Sequence, residues 1–476
     1  MTRPFGLAAA SMTALALLGI PAVAGAATIK TNILGDEVEV NGNCSLREAM
    51  VSATGNIGYD ECVRGQVAKR DVIKLLDAQY DLTIPSTDED ANLDGDLDYT
   101  GGGPLTIRGT RDGGSNINAS QIDDRVIHAT GDATSLRVEF AVLKGGNATG
   151  LSFNRGGNVL VREGSLDMKR GSFRGGIAPL GGGLSVVSGE RLSMKGTTFF
   201  NNQAISGGGL YVLNSQTTVI NAVFSQNEAS GGSSRGGAIT YAGEQPLMVR
   251  DSFFLENEAI GVGGSSALGG AIYGAPLDIA RSYFGENRSM ADAEEVTGGG
   301  AIDSSEQRIV NSTFFENESS SRGGAIRGAG VVAHSTFLAN SAAVGGDHVA
   351  AFTNVGSSPL VLRNSILPGA SILVDLCATG GTVSSRGYNV ATYDDSGCGF
   401  TDRDLTAAGN AGLDSQPNLN GGRTFTLKID KSSQAKNAVP KRACRIAGGE
   451  DQRGFGRPAG AACDAGAVER GARELR

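Results

Sequence analysis

The sequence contains no tryptophan, and its aromatic residues amount to only 5% of 476 residues. So few large side chains argue against a bulky helical core. Glycine, in contrast, is abundant at 72 residues, which is about twice its usual share. This composition favours a fold made of many turns and thin layers.

Positive charge is also scarce. Lysine and arginine number 41 against 50 aspartates and glutamates, so the net charge is -9. Nucleic acids and acidic membrane surfaces are bound through basic patches. The charge balance therefore predicts that nucleic acid is not a partner.

Long apolar runs are confined to the beginning of the chain. Arg3 precedes the Ala/Leu-rich region Leu7–Val23, and a small-residue cleavage site follows at residues 24–26. This pattern is typical of a secretory signal, which we assign to residues 1–26. A membrane anchor is the alternative, but polar residues and a proline interrupt the apolar run. We expect a protein that is secreted or held at the cell surface, and a periplasmic location is an alternative. No transmembrane segment is expected after the signal is removed.

The six cysteines agree with export, because an even number in an exported chain favours disulfides. We predict sequential pairing, since each local pair encloses a short loop. Metal binding is disfavoured because there is no Cys-x-x-Cys phrase and no histidine beside any cysteine. The predicted disulfides are Cys44–Cys62, Cys377–Cys398 and Cys444–Cys463.

A repeat dominates the chain from Gly181 to about Asn340. A Gly-Gly pair leads into a short apolar run, and the phrase Ser-x-Phe-x-x-Asn follows. The spacings between the Phe positions are 25, 30, 30, 30 and 23 residues, which predicts a stacked solenoid. The recurring residues are Phe199, Phe224, Phe254, Phe284, Phe314 and Phe337, with Asn202, Asn227, Asn257, Asn287, Asn317 and Asn340.

Stacking predicts a structural role for each recurring residue. Equivalent positions of successive coils meet about 4.8 Å apart. The phenylalanines are therefore expected to form an interior stack, and the asparagines to pass amide hydrogen bonds from coil to coil. The Gly-Gly pairs supply turns that need positive φ, and they stand at residues 182–183, 208–209, 236–237, 269–270, 299–300, 323–324 and 345–346. These roles explain the repeat without a ligand.

A short amphipathic helix is predicted at the start of the mature chain. Ser45 and Glu48 have the spacing of a capping box, and Leu46, Ala49 and Met50 fall on one face. The phrase Cys-Ser-Leu-Arg-Glu-Ala at residues 44–49 resembles the signature of bacterial exported CSLREA-domain proteins. That resemblance implies an all-β, right-handed parallel β-helix with a short N-terminal capping helix.

Two further resemblances concern the repeat and the end of the chain. Gly236-Gly237-Ala238-Ile239 with Phe-x-x-Asn is similar to repeats of chlamydial polymorphic membrane proteins, which are surface adhesins. The ending, with Asp451-Gln452-Arg453-Gly454 and residues 463–469, resembles the choice-of-anchor Q region of exported β-helix proteins. This resemblance implies a disulfide-bearing C-terminal cap over the second end of the solenoid.

These features divide the chain into four parts. We expect a signal at 1–26, an N-terminal cap with the CSLREA-like segment and first rungs at 27–104, β-helix repeats at 105–366, and a C-terminal cap at 367–476.

An acidic stretch at residues 88–98 is the strongest chemical candidate. It contains the phrase D-x-N-x-D-G-D, which matches the first half of an EF-hand-type calcium loop. The match is partial, because Gly101 stands where such a loop has a bidentate glutamate and flanking helices are not expected. A solvated acidic turn is the alternative. The candidate calcium ligands are Asp90, Asn92, Asp94, Asp96 and Asp98.

Catalytic phrases are scarce. Polygalacturonase-type β-helices carry N-T-D, D-D, G-H-G and R-I-K in order, and that set is not assembled in this sequence. No H-E-x-x-H phrase supports a zinc protease. We therefore expect a non-catalytic surface or extracellular module that binds a glycan, matrix or cell-surface partner. A polysaccharide lyase or glycoside hydrolase is the first alternative, and a structural element of the envelope is the second.

Overall fold

The structure is a computed structural model. It describes residues 25–67, 69–101, 103–291, 297–344, 347–354, 357–368, 375–377, 382–393, 395–408 and 411–473. Residues 1–24 of the predicted signal lie outside these ranges. The fold is an all-β parallel solenoid, as the repeat predicts.

Short strands follow one another from Asp71 to Ala391, after a first strand at Thr28–Lys30. The first part contains β1 Thr28–Lys30, β2 Asp71–Lys74, β3 Gln79–Asp81, β4 Leu97–Tyr99, β5 Leu105–Arg108, β6 Asn116–Asn118, β7 Ile127–Thr130, β8 Ser135–Glu139, β9 Val142–Lys144, β10 Val159–Arg162, β11 Ser165–Lys169, β12 Ser172–Arg174, β13 Leu184–Val187, β14 Arg191–Lys195, β15 Thr198–Phe200, β16 Gln203–Ala204, β17 Leu210–Leu213, β18 Gln216–Ile220, β19 Val223–Ser225, β20 Glu228–Gly231 and β21 Ser234–Arg235. The second part contains β22 Ile239–Arg250, β23 Phe253–Leu255, β24 Glu258–Gly261, β25 Ala267–Leu268, β26 Ile272–Ala280, β27 Tyr283–Gly285, β28 Arg288–Ala291, β29 Thr297–Gly298, β30 Ile302–Val310, β31 Thr313–Phe315, β32 Glu318–Ser319, β33 Ile326–Ala333, β34 Thr336–Leu338, β35 Ser341–Val344, β36 Asp347–Thr353, β37 Leu360–Arg363, β38 Ile366–Leu367, β39 Asp375–Cys377, β40 Val383–Ser385 and β41 Val390–Ala391.

The described coils stack these strands into three long faces, one short face and a three-stranded sheet of β21, β25 and β29. We call them face A (β1, β2, β5, β8, β11, β14, β18 and onward), face B (β3, β6, β9, β12, β15, β19, β23 and onward), face C (β4, β7, β10, β13, β17 and onward) and the short face D (β16, β20, β24, β28, β32). The long strands β22, β26, β30 and β33 contribute to both face C and face A. Neighbouring coils pair in parallel, with one antiparallel pair, β35 with β36, among the described strands.

The described helices are short. Helix α1 spans Leu46–Gly55, α2 spans Lys441–Cys444, and two 3-10 helices span Ser396–Cys398 and Arg445–Ala447. At α1 the predicted capping box is formed, since Ser45 Oγ accepts from the backbone of Glu48 and the Glu48 carboxylate accepts from the backbone of Ser45. Within the described residues no helix is long and apolar enough to cross a membrane.

The predicted phenylalanines form a continuous column inside the solenoid. From Phe199 to Phe337 successive ring centroids lie 4.5–5.0 Å apart with nearly parallel planes. Phe173 extends this column by one coil, with its ring 4.6 Å from that of Phe199. The repeat phrase missed Phe173 because Gly176 stands where the others have asparagine.

The predicted asparagine ladder is also present, and every link is buried. Asn227 Nδ2 donates to Asn257 Oδ1 at 2.9 Å and also to the carbonyl of Phe199 in the preceding coil. The backbone N–H of Asn227 donates to the same Asn257 oxygen at 3.1 Å. Equivalent amide links run from Asn202 to Asn340. Because both amide hydrogens and the oxygen find partners, the ladder satisfies buried polar groups.

The Gly-Gly pairs serve two different purposes. The first glycine takes the left-handed conformation, with φ of 67° at Gly269. The second needs to be small, because a Cβ on Gly270 would lie 2.1 Å from the carbonyl oxygen of Gly300 in the next coil. The strand register aligns residues 181–182 and 207–208 with Gly236-Gly237, rather than the predicted pairs 182–183 and 208–209. The predicted pair at 345–346 lies outside the described residues.

All six cysteines form disulfides in the predicted sequential pairing. Cys44–Cys62 ties the start of α1 to the loop that follows it. Cys377–Cys398 joins β39 to a 3-10 helix at the far end of the coils. The solenoid itself continues past the expected boundary at residue 366, because β39, β40 and β41 still pair in parallel with preceding strands.

The rest of the C-terminal region lies along the side of the solenoid, where the sequence predicted a cap over its end. Leu427, Ile429 and Val439 pack with Tyr283 and Phe315 of face B in a second apolar cluster. This return path is possible because face B of these coils presents apolar side chains outward as well as inward. The C-terminal segment therefore covers part of face B.

A buried histidine anchors this segment. Nδ1 of His334 lies 2.8 Å from Nη1 of Arg457, and Nε2 lies 2.9 Å from Nδ2 of Asn364. Burial and the positive charges of Arg457 and Arg363 lower the pKa of His334 well below its usual value. The imidazole is therefore kept neutral in the folded protein.

Phe199 and Phe200 are neighbours in β15, and replacing each in turn tests whether the buried phenylalanine column stabilises the fold. We expect Phe199→Ala to lower the free energy of unfolding by about 3–5 kcal/mol, because it removes a fully buried ring between two others. Phe200 is 41% exposed, so Phe200→Ala serves as the matched control and should cost below about 1 kcal/mol. Urea denaturation measures both values, and equal losses would contradict the assignment of Phe199 to the column.

The neutral state of His334 predicts a pH dependence. Its folded pKa is depressed, so the unfolded chain takes up a proton near pH 6.5 and the folded chain does not. The resulting stability is complete above that pH and falls by about 1.4 kcal/mol per unit below about pH 6. His334→Asn should weaken this pH dependence. Asparagine is chosen because Asn311 and Asn364 occupy the equivalent positive-φ position in adjacent coils. Urea titrations of the wild-type protein and the variant at pH 7.5 and 5.0 measure the pH dependence of stability. An identical dependence in the two proteins would refute the role of His334.

Candidate functional site

The acidic loop at residues 86–96 is organised by a buried arginine. Arg47 of α1 forms a two-pronged ion pair with Asp36, in which Nε lies 2.7 Å from Oδ1 and Nη2 3.1 Å from Oδ2. The same guanidinium donates to the backbone carbonyls of Asp94, Gly95 and Asp96 at 2.7–3.0 Å. Carbonyl oxygens that could bind a metal ion therefore already bind a fixed cation.

Two of the predicted calcium ligands are used inside the loop. Asn92 is buried, and its side chain accepts from the backbone of Asp98 at 2.8 Å and donates to the carbonyl of the same residue at 2.8 Å. The carboxylate of Asp94 accepts from the backbone N–H and hydroxyl of Thr87. These contacts are the self-capping of an acidic turn, which the sequence offered as the alternative.

A third predicted ligand, Asp96, points toward the next coil. Its carboxylate is buried and lies 3.2 Å from Nη1 of Arg125, which is also 3.6 Å from Asp124. Burial, followed by the carboxylates of Asp124 and Asp98, raises the pKa of Asp96 well above its usual range, and Arg125 opposes this effect. Asp96 thus belongs to a buried charge cluster between two coils.

The last two predicted ligands meet a histidine that the sequence did not place there. Asp90 Oδ1 lies 3.0 Å from His128 Nδ1, and Asp98 Oδ1 lies 3.8 Å from the same nitrogen. Burial raises the pKa of Asp98 to about 8, and burial together with Arg125 lowers the pKa of His128. The EF-hand-like set is therefore divided among three separate contacts. Asp90, Asp98 and His128 remain as a group whose ligand atoms lie within 4.8 Å of one another.

A polar groove of about 460 Å³ runs along the corner between face B and face D. Two columns of outward side chains line it on either side of the buried asparagine ladder. The outer column is Asn201, Gln226, Glu256 and Glu286, and the inner column is Glu228, Glu258 and Arg288. We call this surface the acidic groove.

Contacts between coils hold the groove side chains in place. Gln226 Nε2 donates to Glu256 Oε2 at 2.8 Å along the outer column. In the inner column Arg288 lies 3.6 Å from Glu258 and 3.5 Å from Glu318. The outer residues take positive φ, with 51° at Glu256, and this turn separates them from the buried asparagine that follows. The groove therefore carries an excess of carboxylates at a spacing set by the coils.

An apolar depression of about 320 Å³ adjoins the acidic groove. It is lined by Ile177, Pro179 and Ile205 among others, and Glu228 lines both depressions. Ile177 and Ile205 are 41% and 43% exposed. Together the two depressions place carboxylates beside an apolar shelf.

A third depression, of about 470 Å³, has the opposite charge. Lys169, Arg170, Lys195 and Arg423 line it together with the ring of Phe140. Lys169 and Lys195 are paired in register on neighbouring strands. This basic depression is the place where an anionic ligand is favoured.

The sequence reasoning missed the acidic groove, although its signal is present. The residues on either side of each ladder asparagine are acidic in several coils, as in Glu256-Asn257-Glu258 and Glu316-Asn317-Glu318. Strand alternation accounts for the outward side chain after each asparagine, and the positive-φ turn before the asparagine accounts for the other. The acidic residues on both sides of the ladder asparagines would have identified the two columns.

Arg47 gives a direct test of the loop. We expect Arg47→Met to lower the free energy of unfolding by about 3–5 kcal/mol, because it leaves Asp36 and three carbonyls without their buried partner. Arg64 is exposed and donates to one carbonyl, so Arg64→Met is the matched control with a change below about 1 kcal/mol. Urea denaturation distinguishes the two, and a small loss for Arg47→Met would show that the loop does not depend on it.

Similarity to characterised proteins adds no guide to these surfaces. Comparisons with models of known protein families and with curated protein sequences give no match. A β-solenoid scaffold by itself does not specify an activity. The function is therefore inferred from the side chains, charge and shape of the depressions.

Proposed function

We propose that the protein is an exported, non-catalytic binding module that holds a glycan chain in the acidic groove. The observation that supports this most directly is the pair of side-chain columns along the solenoid, with Glu256 and Glu286 in one and Glu228 and Glu258 in the other. A groove that repeats the same groups from coil to coil suits a ligand that is itself a repeating polymer.

The chemistry of the groove favours ligands rich in hydrogen-bond donors. Ionised carboxylates only accept hydrogen bonds, so they complement sugar hydroxyls and amino groups. A polysaccharide built from acidic sugars would be repelled by the same carboxylates. We therefore favour a neutral or amino-sugar glycan.

The adjoining apolar shelf provides the second component of sugar recognition. Ligand sites combine apolar surface with a few polar groups that fix orientation. The C–H faces of sugar rings can pack on Ile177 and Ile205 while their hydroxyls reach Glu228, which lines both depressions. The C-terminal segment packs on other parts of face B and leaves this corner accessible.

The proposed location rests on different evidence. Three disulfides favour an oxidising compartment, which supports export. Membership among CSLREA-domain and choice-of-anchor Q proteins remains our proposal. It is supported by the Cys44–Ala49 phrase, and a surface-exposed role follows from it.

A panel of polysaccharides tests the proposed function. The purified protein should be retained by neutral or amino-sugar polysaccharides and not by polygalacturonate. Replacing Glu256 and Glu286 together by glutamine keeps their shape and removes their charge. Loss of charged hydrogen bonds should weaken binding at least about tenfold. Glu244→Gln, an exposed carboxylate of β22 outside the groove lining, is the matched control and should bind as wild type.

Three outcomes would contradict the proposal. Undiminished binding by the glutamine double variant would remove the acidic groove as the site. Retention by polygalacturonate that is lost in Lys195→Gln would move the site to the basic depression. Release of reducing or unsaturated ends during incubation would show an enzyme instead of a binding module.

A further inference from the structure

Three side chains from separate parts of the chain converge at the edge of face C. Asp90 belongs to the acidic loop, Asp98 to β4, and His128 to β7 in the next coil. Their carboxylate oxygens and the Nδ1 atom of His128 lie within 4.8 Å of one another. Asp98 and His128 occupy paired positions on adjacent strands, so the stacking of the coils fixes their separation.

The Oδ1 atom of Asp98 has no hydrogen-bond partner although it is buried. The Asp98 side chain is 1% exposed, and this oxygen lies 3.8 Å from His128 Nδ1, beyond hydrogen-bond distance. A buried polar atom without a partner costs about 1–3 kcal/mol, and such atoms are rare in folded proteins. The hydrogen bond between His128 and Asp90 leaves this oxygen unsatisfied.

The distances suit a bound metal ion. Zinc bonds to nitrogen and oxygen ligands are about 2.0–2.2 Å long, so neighbouring ligand atoms in such a site lie about 3.0–3.5 Å apart. His128 Nδ1 is 3.0 Å from Asp90 and 3.8 Å from Asp98. The Asp90 side chain is 64% exposed, which gives it room to adjust and gives an ion a route of entry.

The type of ligand selects the type of metal. Calcium takes six to eight oxygen ligands and seldom uses imidazole. Imidazole with carboxylates suits zinc and related first-row ions. The nearby cation Arg125 is paired with the carboxylates of Asp96 and Asp124.

We propose that Asp90, Asp98 and His128 bind a divalent first-row transition metal ion such as Zn²⁺, with water completing its coordination. The ion ties the acidic loop to two successive coils near the N-terminal end of the solenoid. This differs from the predicted calcium site, because Asn92, Asp94 and Asp96 take no part and His128 does. The proposal is independent of glycan binding.

Imidazole NMR on the untagged, ¹⁵N-histidine-labelled protein provides the test. On titration with Zn²⁺, the ring nitrogen signals of His128 should shift at micromolar metal. Those of His334 should not, because that ring is buried between Arg457 and Asn364. Co²⁺ should give the visible absorption of a nitrogen- and oxygen-ligated ion, and calcium at the same concentration should change neither signal.

Variants distinguish the proposed Asp90, Asp98 and His128 site from the predicted EF-hand-like calcium site. Asp98→Asn and His128→Gln should each weaken Zn²⁺ binding at least about tenfold, in line with loss of one ligand from three. Asp94→Asn is the matched control from the same loop and should bind as wild type, whereas an EF-hand-like site would lose affinity. Circular dichroism without metal verifies that each variant is folded.

The wild-type titration keeps the proposal falsifiable even if a variant fails to fold. The metal-site proposal is overturned if the His128 signals do not shift at a 1:1 ratio of Zn²⁺ to protein or at any higher concentration up to about millimolar metal. Equal shifts of His334 and His128 would indicate non-specific binding and overturn it as well. Loss of binding in Asp94→Asn would return the site to the predicted calcium loop.

Discussion

Buried asparagine side chains stack in register from Asn202 to Asn340 and align the coils of the repeat. A primary amide buried in the protein needs partners for both hydrogens and for its oxygen. Asn227 finds them only because Asn257 and Phe199 lie at matching heights in the coils on either side. A coil displaced by one residue would break these links and turn its apolar side chains outward. The ladder therefore fixes the register of the phenylalanine column beside it.

The same constraint shapes the surface. Because the residues on either side of a ladder asparagine point outward, successive coils extend both columns of the acidic groove. Like charges in directly neighbouring positions of a sheet are destabilising. Glu228 and Glu258 are such neighbours, and Arg288 beyond them relieves only part of the repulsion. A solenoid that retains this arrangement keeps an unfavourable but accessible row of acceptors, which suits a surface used for binding.

At the N-terminal end, the side chain of Arg47 binds the acidic loop for which the sequence suggested calcium. The guanidinium of Arg47 is planar and carries several donors, so it can bind Asp36 and three carbonyls at once. Asp90 and Asp98 lie beside His128 of the next coil, where the strand register pairs Asp98 with His128.

The amino-acid sequence is enough to predict the repeat, the interior roles of the phenylalanines and asparagines, the capping box at Ser45 and the pairing of the cysteines. These features arise from local spacing, or from a period that each coil repeats. The fold places His128 beside Asp98, Arg47 against the acidic loop, and the C-terminal segment along face B. The last two contacts join residues that no period relates, because they depend on how far the coils rise and which outward faces remain apolar. Asp98 and His128 are 30 residues apart in the sequence, but neither belongs to a recurring phrase, so their contact emerges only from the strand pairing.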